Sequence, residues 1–429
     1  MTGSGPRSGP ARGLSRRAFV RTAVAIGGAS ALSACLGREE VDVPQADLAP
    51  EERPDRQHAW NEFLSTDDHG NVRPPEHHLL LGLEYVSDGP TDEERAQFAD
   101  ALESLERAYR YGNDGLVLTV GYGPAYFDRF DEDLPESVDL PEPEPLTRIE
   151  DPELDAFDAL VHLASDHGQV VLSAEEALTG ELDAVNDVDV EATVEGIFEV
   201  ADRRPGFFGE GLPAEKQAGV TGIPDTEPVP EDSPMFMGFK SGFDRNQASE
   251  DRVTIAEGPF AGGTTTHLSK IELRLQQWYE QDSRDQRVAK MFCPAHASED
   301  RVEGAGHNLG TASGVEDCID DAEDDARTTG IVGHAQKAGR AREDGDPIIL
   351  RRDFNSTDDD RAGLHFLAHQ RSIADFVKTR EAMTGSDLTD GAVGPVNNNG
   401  ILQYISVTRR ANYLVPPRQH RALPTPQPE

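Results

Sequence analysis

Apolar and polar residues alternate along the chain with periods that predict both strands and helices. The apolar run at residues 78–86 predicts a strand, and residues 116–123, which end at glycines, predict another. Between them, Thr91 is a predicted helix N-cap because acidic residues follow it directly. The apolar residues of the helix that starts there fall on one helical face, at Phe98, Ala101, Leu102, Leu105 and Ala108. This part of the chain therefore predicts a β-α-β unit.

The rest of the first half continues the alternation. Residues 155–164 predict a helix and residues 169–174 a strand, whereas residues 191–201 fit either element. Glycine, proline and acidic residues dominate positions 209–233, which predicts a linker between two halves.

The second half repeats this rhythm. Helices are predicted at residues 278–291 and 373–383. The segments with strand character are 264–277, 348–351, 363–369 and 402–407.

Two successive halves of similar size, each alternating strands and helices, predict an α+β fold. We expect a duplicated ferredoxin-like arrangement, in which two βαβ-containing halves with antiparallel sheets form a dimeric α+β barrel-like structure. The expected domains are a signal at residues 1–35, an acidic tether at 36–75, an N-terminal half at 76–225 and a C-terminal half, carrying the candidate site, at 226–420.

The net charge of the chain limits the partners that it can bind and indicates the solvent to which it is adapted. Asp and Glu number 80 against 40 Lys and Arg, a formal net charge of -40, which argues against nucleic acid as a partner. Lysine is also rare, and an acidic, lysine-poor surface is typical of proteins that stay soluble in concentrated salt, where the Debye length is only about 3 Å. We therefore expect a halophilic protein, with an ordinary acidic secreted protein as the alternative.

Residues 15–35 have the pattern of an export signal. Arg16 and Arg17 precede Phe19 as in a twin-arginine signal, and the weakly apolar stretch after them is shorter than the roughly 20 apolar residues that span a membrane. Residues 32–35 resemble a lipobox, in which Cys35 becomes the lipidated first residue of the mature protein. We expect export by the twin-arginine route and attachment to the extracellular face of the cell membrane through the lipid on Cys35 only. A cleaved signal without lipid is the alternative.

Cys293 and Cys318 are the other cysteines, and they form one disulfide or none. Cys293 and His296, with His307 beyond, have a spacing that would suit zinc or copper. Because no fourth ligand accompanies them, we interpret the spacing as chance. The chain has no nucleophile-elbow, P-loop, His-Glu-x-x-His or dinucleotide-binding motif. This absence argues against a hydrolase, a kinase, a metalloprotease and a dehydrogenase, respectively.

Four segments of the second half occur in an order that carries a family resemblance. They are Met-Gly-Phe-Lys-Ser-Gly at residues 237–242, Val-Gly-His-Ala at 332–335, Ile-Ile-Leu-Arg-Arg at 348–352 and the apolar run with Gln-Arg at 363–373. A Thr-x-Gly-x-Gly-Pro stretch at residues 119–124 adds a fainter likeness in the first half. Over residues 78–415, the chain resembles the dye-decolourising (DyP-type) peroxidases, which bind haem b.

The resemblance implies a haem-dependent peroxidase with one haem b per chain, which reduces hydrogen peroxide while oxidising an electron donor that the sequence does not identify. It places the axial ligand of the haem iron at His334 and the distal arginine at Arg351. It also implies that Gly238 and Phe239 of the glycine-rich segment bind the cofactor.

Ser241 departs from the family pattern, because the family has there an aspartate that moves a proton between the peroxide oxygens. A serine hydroxyl titrates too high to act as a base near neutral pH, and losing such a group typically costs about 10²–10⁴ in rate. Arg351 would still stabilise the negative charge that develops as the O–O bond breaks. Asp244, three residues on, would replace the aspartate if the loop turns it inward.

Two alternatives therefore remain. One is a non-enzymatic haem-binding lipoprotein for storage, delivery or sensing, and the other is a scaffold of the same fold without a cofactor. Two further expectations concern neighbouring residues. His365 and His369 share one face of a predicted strand, where they would either flank a cofactor pocket or be core or interface histidines, and we expect the latter. Arg352, on the face opposite Arg351, is expected to be a solvated charge.

Overall fold

The computed structural model describes residues 42–389 and 393–429 of the chain. The predicted signal and its lipobox cysteine, Cys35, lie outside these residues. The strands are β1 (His77–Tyr85), β2 (Val117–Tyr122), β3 (Glu153–Leu154), β4 (Ala159–Ser165), β5 (Ala184–Val185), β6 (Val188–Asp189), β7 (Phe198–Phe207), β8 (Thr264–Leu273), β9 (Leu350–Arg351), β10 (Phe354–Ser356), β11 (Gly363–Gln370) and β12 (Ile405–Val415).

The α-helices lie between the strands along the chain, and five of them fall between β8 and β9. They are α1 (Asp92–Ala108), α2 (Pro124–Phe127), α3 (Gly168–Leu178), α4 (Leu212–Glu215), α5 (Leu275–Glu280), α6 (Arg284–Met291), α7 (Pro294–Ser298), α8 (Ala322–Thr328), α9 (His334–Ala338) and α10 (Ile373–Thr384). Among the described residues, none of these helices is long and apolar enough to cross a membrane.

One sheet of ten strands closes on itself to form a barrel. Its order is β10-β7-β1-β4-β2-β12-β8-β11-β9, with β3 beside β12, and pairing of β10 with β11 closes the ring. The pairs are antiparallel, apart from the short parallel contact of β3 with β12. The fold is therefore a mixed α/β fold built on a closed antiparallel barrel, which agrees with the expected barrel-like mixture of helices and strands.

Helices cover the outer face of the first-half strands. Leu79, Leu81 and Leu83 of β1 point to this face and join one apolar cluster with α1 and α3. The α1 helix begins after Thr91 as predicted, because the Thr91 hydroxyl accepts a hydrogen bond from the Glu94 N–H in a capping box. The predicted apolar stripe of α1 is buried throughout.

The alternate residues of the strands fill the barrel interior. Leu80, Leu268 and Leu367 meet there in a separate apolar cluster. His365 and His369 share the direction of Leu367 and are fully buried, which confirms the expectation of core histidines. His365 Nε2 lies 2.8 Å from Asp358, and His369 Nδ1 lies 2.8 Å from the Thr266 hydroxyl.

Arg352 also lies inside the barrel, so its prediction as a solvated charge is wrong. The residue is only 3% exposed. Its guanidinium forms an ion pair with Glu250 at 3.2 Å, donates to Asn61 at 2.8 Å and lies over the ring of Trp60. The predicted direction, opposite to Arg351, is nevertheless correct. A strand that is covered on both faces buries both sets of side chains.

Two predicted elements of the first half are wrong. The predicted helix at residues 155–164 is largely strand β4, and the predicted strand at 169–174 belongs to helix α3. Both segments are apolar, and β4 is buried on both faces, so its run of apolar residues has no period of two. Residues 191–201, which fitted either element, lead into strand β7.

The predicted acidic tether is corrected for residues 42–75. In this segment Trp60 is fully buried and Leu64 nearly so, in a cluster with Val117 of β2. The Gln57 side chain donates hydrogen bonds to the backbone oxygens of Val120 and Pro416. These contacts hold the segment across one end of the barrel, because a few large apolar residues outweigh the acidic composition around them.

Candidate functional site

A cavity of about 260 Å³ lies on the outer face of the barrel wall in the second half of the chain. Strands β8 and β11 form its floor, and helices α9 and α10 flank it. Most of its lining is apolar, including Phe239, Phe243, Ile271, Leu273, Met291, Phe292, Leu364, Phe366, Phe376 and Met383. Its polar lining residues include Ser241, His334, Arg351 and Asp353.

His334 reaches this cavity from the first position of α9. The Gly333 N–H donates to the Gln336 side chain at 3.0 Å, and Gln336 in turn donates to the backbone oxygen of Cys318 at 2.7 Å. A side chain at Gly333 would collide with the Phe292 carbonyl oxygen, 1.6 Å from the Cβ position. The start of α9 is therefore held by its own sequence and by close packing against two other segments.

The imidazole of His334 has an unusual environment. Its Nδ1 is buried and has no hydrogen-bond partner within the described part of the chain. Burial, together with the positive charges of Lys337, Arg351 and Arg380, lowers the pKa of His334 to about 3. The ring is therefore neutral at ordinary pH and has one nitrogen lone pair, the form that binds a metal ion.

Arg351 enters the cavity from β9. Gln247 holds its backbone on both sides: the Arg351 N–H donates to the Gln247 side chain at 3.0 Å, and the Arg351 carbonyl accepts from it at 3.3 Å. The Arg351 Nη1 donates to the Ser241 hydroxyl at 3.3 Å. The structure thus brings together Arg351 and Ser241, two residues that sequence analysis selected separately.

The glycine-rich segment around Ser241 is anchored on the cavity wall. Trp278 Nε1 donates to the Met237 carbonyl at 2.9 Å. Phe239 lines the cavity and meets Phe292 edge to face at 5.4 Å between ring centroids. Gly238 does not line the cavity, contrary to the cofactor contact that the resemblance implies. Its φ of +83° and the Tyr279 hydroxyl, 2.8 Å from the Cβ position, show that it serves the turn instead.

Asp244 does not turn inward. It is exposed, does not line the cavity and starts a short 3-10 turn whose N–H donates to the Asn71 side chain at 2.9 Å. The structure therefore does not bring this predicted substitute for the family aspartate to the cavity, because the turn after Phe243 directs it to solvent.

A carboxylate that sequence analysis missed lines the cavity instead. Asp353 lies between β9 and β10, two residues after Arg351, and is 8% exposed. The period of two in an extended chain was the signal that could have found it, because it places residues i and i+2 on the same face.

Cationic residues line another part of the cavity. Arg380 and Arg410 both bind Glu150, at 3.0 Å and 2.9 Å, and both are nearly buried. Burial opposes ionisation of Glu150, but the two arginines outweigh it and lower the pKa of this carboxyl. Two cations share one carboxylate here, which leaves a net positive charge at the wall.

A disulfide joins Cys293 to Cys318 behind α9, so the structure selects the paired alternative. His296 lies beside it, with Nδ1 2.9 Å from Cys293 Sγ and Nε2 3.0 Å from the Ser313 carbonyl. Cys293, His296 and Cys318 are the one metal-ligand grouping found among the described residues. His307 lies apart from it, on the Asp232 carbonyl. Because the two sulfurs are bonded to each other, neither cysteine offers a free thiolate to a metal ion in this structure.

The fold is that of the DyP-type peroxidases. A DypB variant from Rhodococcus jostii RHA1 in complex with heme has a TM-score of 0.52 and 15% identity, over 82% of this chain and 96% of that one. The encapsulated DyP-type peroxidase from Mycobacterium smegmatis has a TM-score of 0.52 and 13% identity, over 83% and 97%. A dye-decolorizing peroxidase from Bacteroides thetaiotaomicron has a TM-score of 0.51 and 13% identity, over 84% and 98%. At such identities the likeness shows the fold alone.

Sequence comparison gives a narrower result. No curated protein matches this chain. One family model, described as a family of unknown function, matches residues 75–417. Because this match covers most of the chain, the protein belongs to the family of unknown function DUF7405.

Proposed function

We propose that this protein is a haem-dependent peroxidase of the dye-decolourising type, which reduces hydrogen peroxide and oxidises an electron donor of unidentified class. The observation that carries the proposal is that one cavity holds both Arg351 and His334, an imidazole whose Nδ1 has no hydrogen-bond partner among the described residues. A scaffold shared with DyP-type peroxidases supports it at the level of the fold. On this proposal the two halves are duplicated ferredoxin-like units, with the haem site in the second.

The residues of the cavity fit haem. His334 offers a neutral imidazole whose Nδ1 has no partner among the described residues, and imidazole is a common axial ligand of haem iron. Phe239 and Phe366 are among the apolar residues that would contact the macrocycle. Arg380 and Arg410 would face its two carboxylates, because Glu150 balances only one of their charges. We propose one haem b per chain.

The bound haem would supply the redox chemistry, and the chain would supply positioning and charge. Arg351 would bind peroxide and stabilise the negative charge that develops on its oxygen as the O–O bond breaks. Ser241 accepts a hydrogen bond from Arg351 and so would hold the guanidinium in place. The apolar lining would exclude bulk water, which strengthens these electrostatic interactions.

A second candidate is a haem-binding protein without turnover, for storage, delivery or sensing, and Ser241 is the observation that favours it. A third candidate is a scaffold without a cofactor. The spectrum of the chain titrated with hemin separates the third from the other two, because only a haem protein gives a saturable Soret band. The rate of reaction with hydrogen peroxide then separates the first two.

We further propose that the protein is exported by the twin-arginine route, is halophilic and is held at the extracellular face of the cell membrane by a lipid on Cys35. The disulfide between Cys293 and Cys318 supports export, because such bonds persist in oxidising compartments. Labelling of cells with radioactive or alkyne-tagged lipid tests the anchor: Cys35→Ser should abolish labelling and release the protein. Labelling that survives this change would refute the anchor.

A further inference from the structure

Asp353 and Arg351 present their side chains to the same cavity. Both line it, and the residue between them, Arg352, points into the barrel and binds Glu250 and Asn61. This alternation fixes the direction of Asp353, because successive residues of an extended chain point to opposite sides. The carboxylate and the guanidinium therefore meet any molecule that enters beside Arg351.

The Asp353 carboxylate is free to act on such a molecule. It is 8% exposed, and across residues 42–389 and 393–429 no hydrogen bond or ion pair of its side chain is found. Other buried carboxylates behave differently: Glu150 binds two arginines, and Asp155 binds Arg204 at 2.6 Å. A buried carboxylate without a partner destabilises the fold, so its presence in a cavity points to a function there.

We propose that Asp353 is the acid–base residue of this cavity, in place of the aspartate that Ser241 replaces. This inference rests on the proposed function. Asp353 accepts the proton from the peroxide oxygen that remains in the cavity and returns it to the oxygen that departs as water. The O–O bond breaks in this step, the departing oxygen takes the electron pair of that bond and leaves as water, and the carboxylate ends as it began. Haem, when bound, would supply the two electrons that the remaining oxygen then lacks.

On this proposal, Ser241 and Asp353 have separate roles. Ser241 accepts from Arg351 and orients it, while Asp353 moves the proton. In this arrangement the carboxylate is carried by the short extended connection between β9 and β10 rather than by the glycine-rich segment. Pairing of β9 and of β10 with β11 holds both ends of this connection in place.

The test compares Asp353→Asn with the wild type, both loaded with hemin. Asparagine keeps the shape of the side chain but cannot accept the proton. The variant should bind hemin at the wild-type stoichiometry and react with hydrogen peroxide about 10²–10⁴-fold more slowly. Asp244→Asn, which removes the same charge from an exposed position, is the matched control and should react within about twofold of the wild type.

Cyanide binding gives a readout that does not depend on turnover. Hydrogen cyanide must lose its proton when it binds ferric haem, so Asp353→Asn should slow the association of cyanide and remove one ionisation from its pH profile. Asp353→Glu keeps a carboxylate and should recover part of both rates. If Asp353→Asn does not fold, as judged by circular dichroism, the glutamate variant decides: its peroxide and cyanide rates should move together, with a displaced ionisation.

Three results would overturn the inference. Wild-type rates in Asp353→Asn that carries hemin would show that another group moves the proton. A cyanide pH profile that is the same in the wild type and in the folded asparagine or glutamate variant would do so too. Absence of saturable hemin binding by the wild type would instead refute the proposed function, and the role of Asp353 with it.

Discussion

The guanidinium of Arg351 donates to the hydroxyl of Ser241 at 3.3 Å, although the two residues are 110 positions apart in the chain. This contact joins the strand that carries Arg351 to the glycine-rich segment, on one wall of a cavity that also contains His334. It gives Ser241 a structural role that does not require it to ionise. The loss of the family aspartate is therefore compatible with an intact, positively charged binding pocket.

Arg351 is expected to be essential for reaction with peroxide but not for haem binding. Arg351→Met should keep the Soret band and lower the rate with hydrogen peroxide by about 10²–10³, because a half-buried positive charge that faces the breaking bond is lost. Stopped-flow absorbance measures this rate. Arg351→Lys is the matched control and should retain part of the activity, since it keeps the charge but not the fork geometry. A methionine variant as fast as the wild type would contradict this role.

Ser241→Asp tests whether the site lacks a base. If Asp353 already moves the proton, the aspartate variant should gain less than about tenfold in peroxide rate. In the Asp353→Asn background the same change should restore much of the lost activity. A gain of several hundredfold in the otherwise wild-type chain would mean that the natural protein is a poor peroxidase, and it would favour haem binding without turnover.

Reduction of the disulfide should destabilise the second half. Cys293 and Cys318 are separated by 25 residues, and a bond that closes a loop of that length contributes about 3 kcal/mol to the free energy of unfolding. Urea unfolding in concentrated salt, with and without reductant, measures the difference. Cys293→Ser should unfold like the reduced wild type and should be insensitive to reductant. Equal unfolding midpoints under the two conditions would contradict the disulfide.

Buried histidines should make the barrel sensitive to acid. Burial lowers the pKa of His58 and of His162 to about 3, from the ordinary value of 6.5. Between pH 6.5 and about 3 the unfolded chain binds more protons than the folded one, so stability is full above pH 6.5 and falls below it. The expected loss is about 1.4 kcal/mol per pH unit for each histidine.

The pH window separates these histidines from the acidic groups. Glu106 is held by Arg421, Arg418 and Arg53, which outweigh its burial and lower its pKa to about 2, so its contribution is lost only below about pH 4.5. Urea unfolding at pH 5 to 6.5 therefore reports on the histidines. The double variant His58→Gln/His162→Gln should have a shallower dependence on pH in this range. An unchanged slope would show that other groups are responsible.

The sequence predicted correctly those elements whose apolar pattern has one clear period. The helix after Thr91 is such an element, with a cap at its start and a single buried face. It failed at β4 and α3, because an apolar run that is buried on both faces does not distinguish a strand from a helix. Closure of the barrel depends on pairs such as Asn355 with Phe207, which are far apart in the chain and leave no local signal.

For the site, four of the residues predicted from the sequence line one cavity in the fold, namely Phe239, Ser241, His334 and Arg351. Their assembly followed from family resemblance, since nothing in their spacing requires it. Asp244 was a wrong choice because its direction depends on one turn, and Asp353 was missed although the strand period around Arg351 contains it. The packing of Trp60 against the barrel was likewise hidden by the acidic composition around it.

His334 is expected to bind haem, and an absorbance titration with hemin tests this binding directly. The chain from residue 36 onward, folded in multimolar salt, should give a Soret band that saturates at one haem per chain. His334→Ala should lose this saturable band while keeping the wild-type circular dichroism, and His307→Ala, which changes a half-buried histidine outside the cavity, should keep it. A folded wild-type chain that gives no saturable band, or a His334→Ala variant that binds hemin like the wild type, would contradict the account.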